Sequence, residues 1–412
     1  MPRILTFLRT MRVGITAVGA AAVAFALLRD WIQVDVPAPG IGRNQLLLLI
    51  GGLLLMAAGF VVPDSHFRRF VVRPLLVTGS IYLPLLVCNA FMAARAPVWK
   101  DPGVSLRNLY RPDPVTGYRL APNYHGYYDD GLVRVEYRTN SFGDRDDEPR
   151  ETSGRRVLLI GDSYTFGSRL GEGDRVDVQM ERLSDGRIDA YNLGVAGYGP
   201  PQILEHLRRC DWYRGSDAVY LFYNNDLTDQ ELDITVMTVF DGYKVRRCKL
   251  DGVPFTEAEY RIEIERILHP PPRAVLAPIL DLRHLGLLLE RLAKAPTPLE
   301  KQLLRIGPHA TYLGVENVEK AVSYTLAMRT VAAERGMRFH VLIVPWLGET
   351  AQRRYAPIVT DYIGRMRGHG VDVIEMLERL SPDDYFREEG HFNPAGARRT
   401  AEAIIRGLAD AP

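Results

Sequence analysis

Ser163 sits in the string Arg156-Val-Leu-Leu-Ile-Gly161-Asp162-Ser163-Tyr164-Thr165-Phe166-Gly167, where an apolar run passes through a glycine into two small polar residues. Four apolar residues between Arg156 and Gly161 predict a central strand, and the glycine allows a sharp turn into a following helix. A serine so placed projects from a rigid strand end, where the free N–H groups and dipole of the helix favour developing negative charge. Nucleophilic acyl transfer needs that placement. The same letters also suit a plain helix start, because Asp and Ser are common N-cap residues, so the remaining segments carry the distinction.

Three of them do. Asp189-Ala-Tyr-Asn192-Leu-Gly194-Val-Ala-Gly197-Tyr-Gly199-Pro200 reads as a strand and then a glycine-rich turn, where small residues let backbone N–H groups approach a substrate oxygen. Asp217-Ala-Val-Tyr-Leu-Phe-Tyr-Asn224-Asn225-Asp226 is an apolar strand that ends in amides. Tyr385-Phe-Arg-Glu388-Glu389-Gly390-His391-Phe-Asn393-Pro394-Ala-Gly396 places an acid, Glu388, three residues before a histidine. Together the four segments offer a nucleophile, a backbone oxyanion donor, a side-chain oxyanion donor, and a base with an orienting carboxylate. Taken singly, His391 could be a packing residue, Asn225 a cap and Gly197 a turn glycine.

In these blocks the chain resembles the SGNH (GDSL-type) hydrolase superfamily. GDSYTFG matches the first block, the glycine of NLGVAGYG the second, NND the third, and the acid-x-x-His ahead of FNPAG the last. The match spans roughly residues 156 to 408 in the family's order, which makes it more specific than any single block. The resemblance implies that Ser163 is the nucleophile and His391 the general base, with Gly197, Asn225 and the Ser163 N–H forming the oxyanion hole. The acid departs from the pattern: the usual Asp falls on Glu388, with Glu389 beside it and Asp383 and Asp384 upstream. A glutamate can hold an imidazole, but its longer stem must fold back.

These residues need a scaffold that brings strand ends together. Strands are expected at Val157 to Ile160, Ile188 to Leu193, Ala218 to Phe222, Arg338 to Val344 and Val371 to Ile374. Helical patterns separate them, among them Pro201 to Arg209, Val318 to Glu334 and Ala395 to Leu408. That alternation predicts a three-layer α/β fold with a parallel sheet, flavodoxin-like, occupying residues 156–412. An insertion at about residues 227–315 breaks the alternation. It holds Pro270-Pro-Pro272 and the leucine-rich Ile279 to Leu292, which suits a lid, a membrane-facing surface or a partner contact, with packing against the domain the default expectation. Before the catalytic region, residues 95–155 form a connector with hairpin patterns around Arg111 to Asn123 and Val133 to Thr139. Its tyrosines Tyr110, Tyr118, Tyr124, Tyr127 and Tyr128 could stack on sugar rings, and covering the small sheet is the simpler expectation.

Residues 1–94 differ from the rest. Val13 to Leu28, Gln45 to Val62 and Pro74 to Ala94 are apolar runs without a formal charge. At about 1.5 Å per residue against a hydrocarbon core of about 30 Å, the second and third are long enough to cross and the first is marginal, open to reading as a buried helix or a cleaved signal peptide; the three so close together predict a three-helix membrane anchor. Arg3, Arg9 and Arg12 precede the first run and Arg68, Arg69 and Arg73 the third. Positive residues stay inside, so the catalytic region is expected to be extracytoplasmic. The whole 412-residue chain is 25% charged with a net charge of +1, which argues against a nucleic-acid partner. Its cysteines are Cys88, Cys210 and Cys248, the last two free to pair in an oxidising compartment or to stay reduced. No close-spaced cysteines or HExxH pattern suggests a metal, and no cofactor is expected.

The expected function is a membrane-anchored serine esterase that removes an acyl group, acetyl foremost, from a cell-envelope glycan. The alternatives are an O-acyltransferase that passes the acyl group to a polysaccharide with help from a membrane acyl-donor partner, and a non-catalytic glycan-binding protein.

Overall fold

The computed structural model describes residues 12–23, 43–95, 102–149, 154–228, 237–247, 253–268, 315–386 and 389–410. Contacts divide the chain into an N-terminal unit, which holds the described residues up to Arg95, and a larger unit, which holds those from residue 102 on.

The larger unit is built on five parallel strands: β5 (Arg155–Gly161), β6 (Ile188–Asn192), β7 (Asp217–Phe222), β10 (Arg338–Ile343) and β11 (Asp372–Glu375), side by side as β11-β10-β7-β5-β6. In order of appearance that is 2-1-3-4-5, the doubly wound order the alternating pattern predicts. Strand β7 is buried along its whole length, as a central parallel strand covered on both faces must be. Successive residues face opposite layers. Val157, Leu159, Val219, Leu221 and Leu342 pack beneath the helices Val176–Leu183 and Pro394–Asp410. Leu158, Ile160, Tyr220, Phe222 and Val341 pack on the other side, under Pro200–Arg209, Val315–Glu334 and Pro357–Gly368.

At the amino ends of the strands Asp217 is fully buried, yet ionised. Arg155 grips it with two bonds of 2.6 and 2.9 Å, and Arg338 Nε and His340 Nε2 each stand 3.1 Å away. Burial pushes its carboxyl up, but these partners, His340 and Arg155 foremost, bring it down to about 2.

Among the described residues, three antiparallel hairpins accompany this sheet. Strands β1 (Tyr110–Asp113) and β2 (Gly117–Leu120) pair, as do β3 (His125–Asp129) and β4 (Arg134–Arg138), in the two stretches where turn residues and alternation predict them. The third, β8 (Met237–Phe240) with β9 (Tyr243–Arg246), lies inside the insertion and packs on β1 and β2. Its turn is Asp241-Gly242 with φ of 49° and 81°, a mirror-image turn matched to strand twist. A helix, Glu257–Leu268, follows. The leucine-rich run Ile279 to Leu292 and Cys248 lie outside the described residues; Cys210 is a buried free thiol and Cys88 an exposed one.

The N-terminal unit contains helices at residues 12–23, Arg43–Val61 and Arg73–Arg95. Gly19 and Gly52 bring the first two into backbone contact: a Cβ on Gly19 would stand 2.6 Å from the Gly52 carbonyl oxygen. Among the described residues, no helix is long and apolar enough to cross a membrane. The expectation of three spans is therefore without structural support.

Candidate active site

β5 and β7 are neighbours at the point where the strand order reverses, so the loops leaving their carboxyl ends diverge and open a crevice. Ser163 leaves β5 through Gly161, where a side chain would collide with Thr165 Oγ1 at 2.2 Å. Asp162 caps the turn, its Oδ1 accepting from the Tyr164 N–H at 3.0 Å. The helix that follows is only Ser163–Phe166 and stops at Gly167 in the left-handed conformation. This corrects the expected helix dipole, since one turn aligns too few peptides to build one. What remains is local: the Ser163 N–H has no hydrogen-bond partner among the described residues.

His391 arrives from the far end of the chain. Its loop is pinned by Phe386 N–H to the His391 carbonyl (2.7 Å) and by Gly390 N–H to the Phe386 carbonyl (2.8 Å). Asn393 then caps the last helix, accepting from Ala395 and Gly396 N–H at 2.9 and 3.1 Å, which explains the Asn-Pro-Ala-Gly run. Tyr164 couples this loop to the serine turn. Its hydroxyl donates to the Gly390 carbonyl at 2.8 Å, and its ring lies 5.0 Å from the His391 ring.

The outcome is a continuous relay. Ser163 Oγ is 2.8 Å from His391 Nε2, and His391 Nδ1 is 2.5 Å from Glu389 Oε2. The carboxylate on the imidazole thus belongs to Glu389, two residues before the histidine; Glu388 lies outside the described residues. The loop places Glu389 and His391 on either side of Gly390, which has φ of 88°, so a glutamate stem folds back with ease. Asp384, the buried upstream acid, is occupied elsewhere: it accepts from Ser381 and pairs with Arg399 at 3.1 Å. Burial pulls the imidazole pKa down, but the Glu389 charge and hydrogen bond outweigh it and leave His391 raised. Behind Glu389 stands Arg169, almost fully buried, with Nη1 3.7 Å from Glu389 Oε1 and Nη2 2.8 Å from Asp130 Oδ2 in the loop between β3 and β4.

The two oxyanion candidates sit on neighbouring loops. Asn225 follows β7 and donates through Nδ2 to Asp162 Oδ2 at 3.0 Å, while its buried Oδ1 has no hydrogen-bond partner among the described residues. Asp162, fully buried, has its carboxyl raised by that burial, and Ser163 Oγ lies 3.4 Å from the same Oδ2. The Gly194 loop presses on the serine turn so closely that a Cβ on Gly194 would lie 2.1 Å from the Phe166 nitrogen. Three residues on, Gly197 has φ of 83° and an N–H without a hydrogen-bond partner among the described residues.

The structure therefore brings Ser163 and His391 into direct contact and ties Asn225 to them through Asp162. Gly197 makes no hydrogen bond to the other three among the described residues. Sequence reasoning did not single out Glu389 on the imidazole, Tyr164, Asp162 or Arg169. The pair Glu388-Glu389 was visible in the sequence, but the Glu389 contact depends on the loop's backbone.

No family model matches the chain, and no curated protein does. Solved structures do. The chain is similar to a member of the lipolytic protein G-D-S-L family from Veillonella parvula DSM 2008, with 12% identity and a TM-score of 0.34 over 63% of this chain and 100% of that one. It is also similar to the psychrotrophic esterase EstA from Pseudoalteromonas sp., with 10% identity and a TM-score of 0.34 over 62% and 97%. A third is LAE5, an alpha/beta hydrolase enzyme from the metagenome of Lake Arreo, Spain, with 13% identity and a TM-score of 0.34 over 63% and 97%. Likenesses this distant decide nothing about function, which rests on the site itself.

Proposed function

We propose that the chain is a serine esterase, and the observation that carries this reading is the Ser163–His391–Glu389 relay, with contacts of 2.8 and 2.5 Å. Ser163 Oγ attacks the ester carbonyl while His391 Nε2 takes its proton, and Glu389 steadies the imidazolium through Nδ1–H. The carbonyl oxygen, now an anion, is received by the N–H groups of Ser163 and Gly197 and by the second Nδ2 hydrogen of Asn225. His391 returns the proton to the departing alcohol, leaving an acyl-enzyme. Water, deprotonated by His391, then releases the acid. With purified full-length chain and p-nitrophenyl acetate, Ser163→Ala is expected to lower kcat at least a thousandfold, roughly the cost of losing such a nucleophile. Unchanged hydrolysis in that variant overturns the reading.

The natural substrate in this proposal is an acetylated cell-envelope glycan, met by a membrane-attached enzyme outside the cytoplasm. Support for attachment comes from the N-terminal unit, where Leu53, Leu54, Phe60, Val61, Val77, Ile81, Leu83, Val87 and Phe91 are all more than half exposed on the helices Arg43–Val61 and Arg73–Arg95. Water does not favour such surfaces, and lipid does. The placement of Arg3, Arg9, Arg12, Arg68, Arg69 and Arg73 supports the outward orientation. Incubation with an acetylated glycan, following both free acetate and acetyl groups on an added unmodified glycan, tests the substrate. Free acetate is the expected product; transfer without release instead identifies an O-acyltransferase.

A further inference from the structure

The Ala196–Gly197 peptide is held from behind by two side chains that belong to neither the central sheet nor its covering helices. Tyr118 on β2 donates its hydroxyl to the Ala196 carbonyl at 3.1 Å. Lys244 on β9 donates Nζ to the same oxygen at 3.2 Å. No carboxylate pairs with the Lys244 ammonium among the described residues, and beyond the Ala196 oxygen it lies over the rings of Tyr118 and Tyr110, 4.6 and 4.8 Å from Nζ. Tyr118 is itself fixed between Tyr110 and Tyr198, with ring centroids at 5.4 and 5.3 Å.

A trans peptide is planar, so its C=O and N–H point in opposite directions, and the chain has no cis bond among the described residues. Two donors on the Ala196 oxygen therefore aim the Gly197 N–H the other way, out of the accessory hairpins. That N–H has no partner of its own among the described residues. Gly197, at φ 83°, is the third residue of a turn closed by the Tyr198 N–H on the Val195 carbonyl at 3.1 Å, and without a side chain it gives the central Ala196–Gly197 peptide of that turn no side-chain anchor of its own. Aiming from the carbonyl side replaces that missing restraint.

We propose that Tyr118 and Lys244 are positioning residues that clamp the Ala196–Gly197 peptide and orient the Gly197 N–H as an oxyanion donor. The inference rests on the esterase reading and deepens it. It gives the connector hairpin and the inserted hairpin a shared role, since each supplies one half of the clamp and the α/β sandwich supplies neither. Because an oxyanion forms only after attack, a slack donor lowers kcat and leaves substrate binding nearly untouched.

The test uses the full-length chain and p-nitrophenyl acetate, with wild type and Ser163→Ala as reference. Tyr118→Phe and Lys244→Met each remove one donor and are expected to lower kcat about tenfold. The double variant should approach the loss of the donor itself, about a hundredfold or more, with KM held within about twofold throughout. Tyr198→Phe is the control for packing, since its hydroxyl bonds the Tyr118 carbonyl and Thr116 rather than Ala196; its kcat should stay near wild type. Should Tyr118→Phe fail to fold, Lys244→Met, on a half-buried side chain, carries the test. The clamp is overturned if the folded variants keep kcat within twofold of wild type, or if Tyr198→Phe loses as much as Tyr118→Phe. Hydrolysis that survives Ser163→Ala is a different failure, because it overturns the esterase reading and the clamp together.

Discussion

Glu389 controls His391, and through it the pH at which Ser163 is activated. His391 acts as a base only when neutral, and the Glu389 carboxylate favours its charged form against the effect of burial. Activity should therefore rise with pH through an inflection above the ordinary histidine value of 6.5. In Glu389→Gln the attraction goes and burial remains, so the inflection should move to lower pH while kcat falls about a hundredfold or more. Glu388→Gln should leave both nearly unchanged; kcat/KM profiles of the two variants separate the neighbours. Arg169 opposes the protonated imidazole from behind Glu389. Arg169→Met should accordingly raise the inflection, a shift opposite in sign to that of Glu389→Gln in the same measurement.

Among the elements, the parallel strands were the most legible in the sequence. β5, β7 and most of β10 are short apolar runs of the kind a doubly covered sheet uses, the edge strands β6 and β11 are more polar, and alternate residues separate into the two layers. The hairpin β8–β9 was not foreseen, although Asp241-Gly242 between apolar residues is a strong turn signal. Its strands have only four residues each and gain their place by packing on β1 and β2, which no local pattern reveals. At the opposite end of the sheet, Asp217 joins β5, β7 and β10 through Arg155, Arg338 and His340. Its pKa is depressed, so its stabilising contribution should be complete above the ordinary value of 3.8 and vanish as pH falls through about 2. Asp217→Ala leaves Arg155 and Arg338 without the buried carboxylate they share and should cost about 3 kcal/mol at neutral pH, read from urea denaturation; at pH 2 wild type and variant should converge.

For the whole molecule, the proposal of membrane attachment predicts that full-length chain stays with the membrane pellet after alkaline carbonate washing. Release into the supernatant counts against it. Reporter fusions just after Ala94 test the orientation: a cytoplasmic reporter removes the argument for an envelope glycan and leaves the esterase chemistry intact. The two questions are separable because the relay lies wholly within the larger unit.

Local sequence determined which segments carry reactive groups and which strands form the sheet, because burial period and turn chemistry act over a few residues. Ser163 and His391 were legible for that reason, 228 positions apart but each in a self-describing segment. Tertiary structure decided that the Glu389 carboxylate meets the imidazole, across Gly390 at φ 88°, a matter of backbone angle. It also brought Tyr118 and Lys244 onto one carbonyl oxygen and Arg169 between Asp130 and Glu389. Such meetings join residues on separate hairpins and loops. Their energies depend on distances in space, and neither composition nor periodicity encodes these.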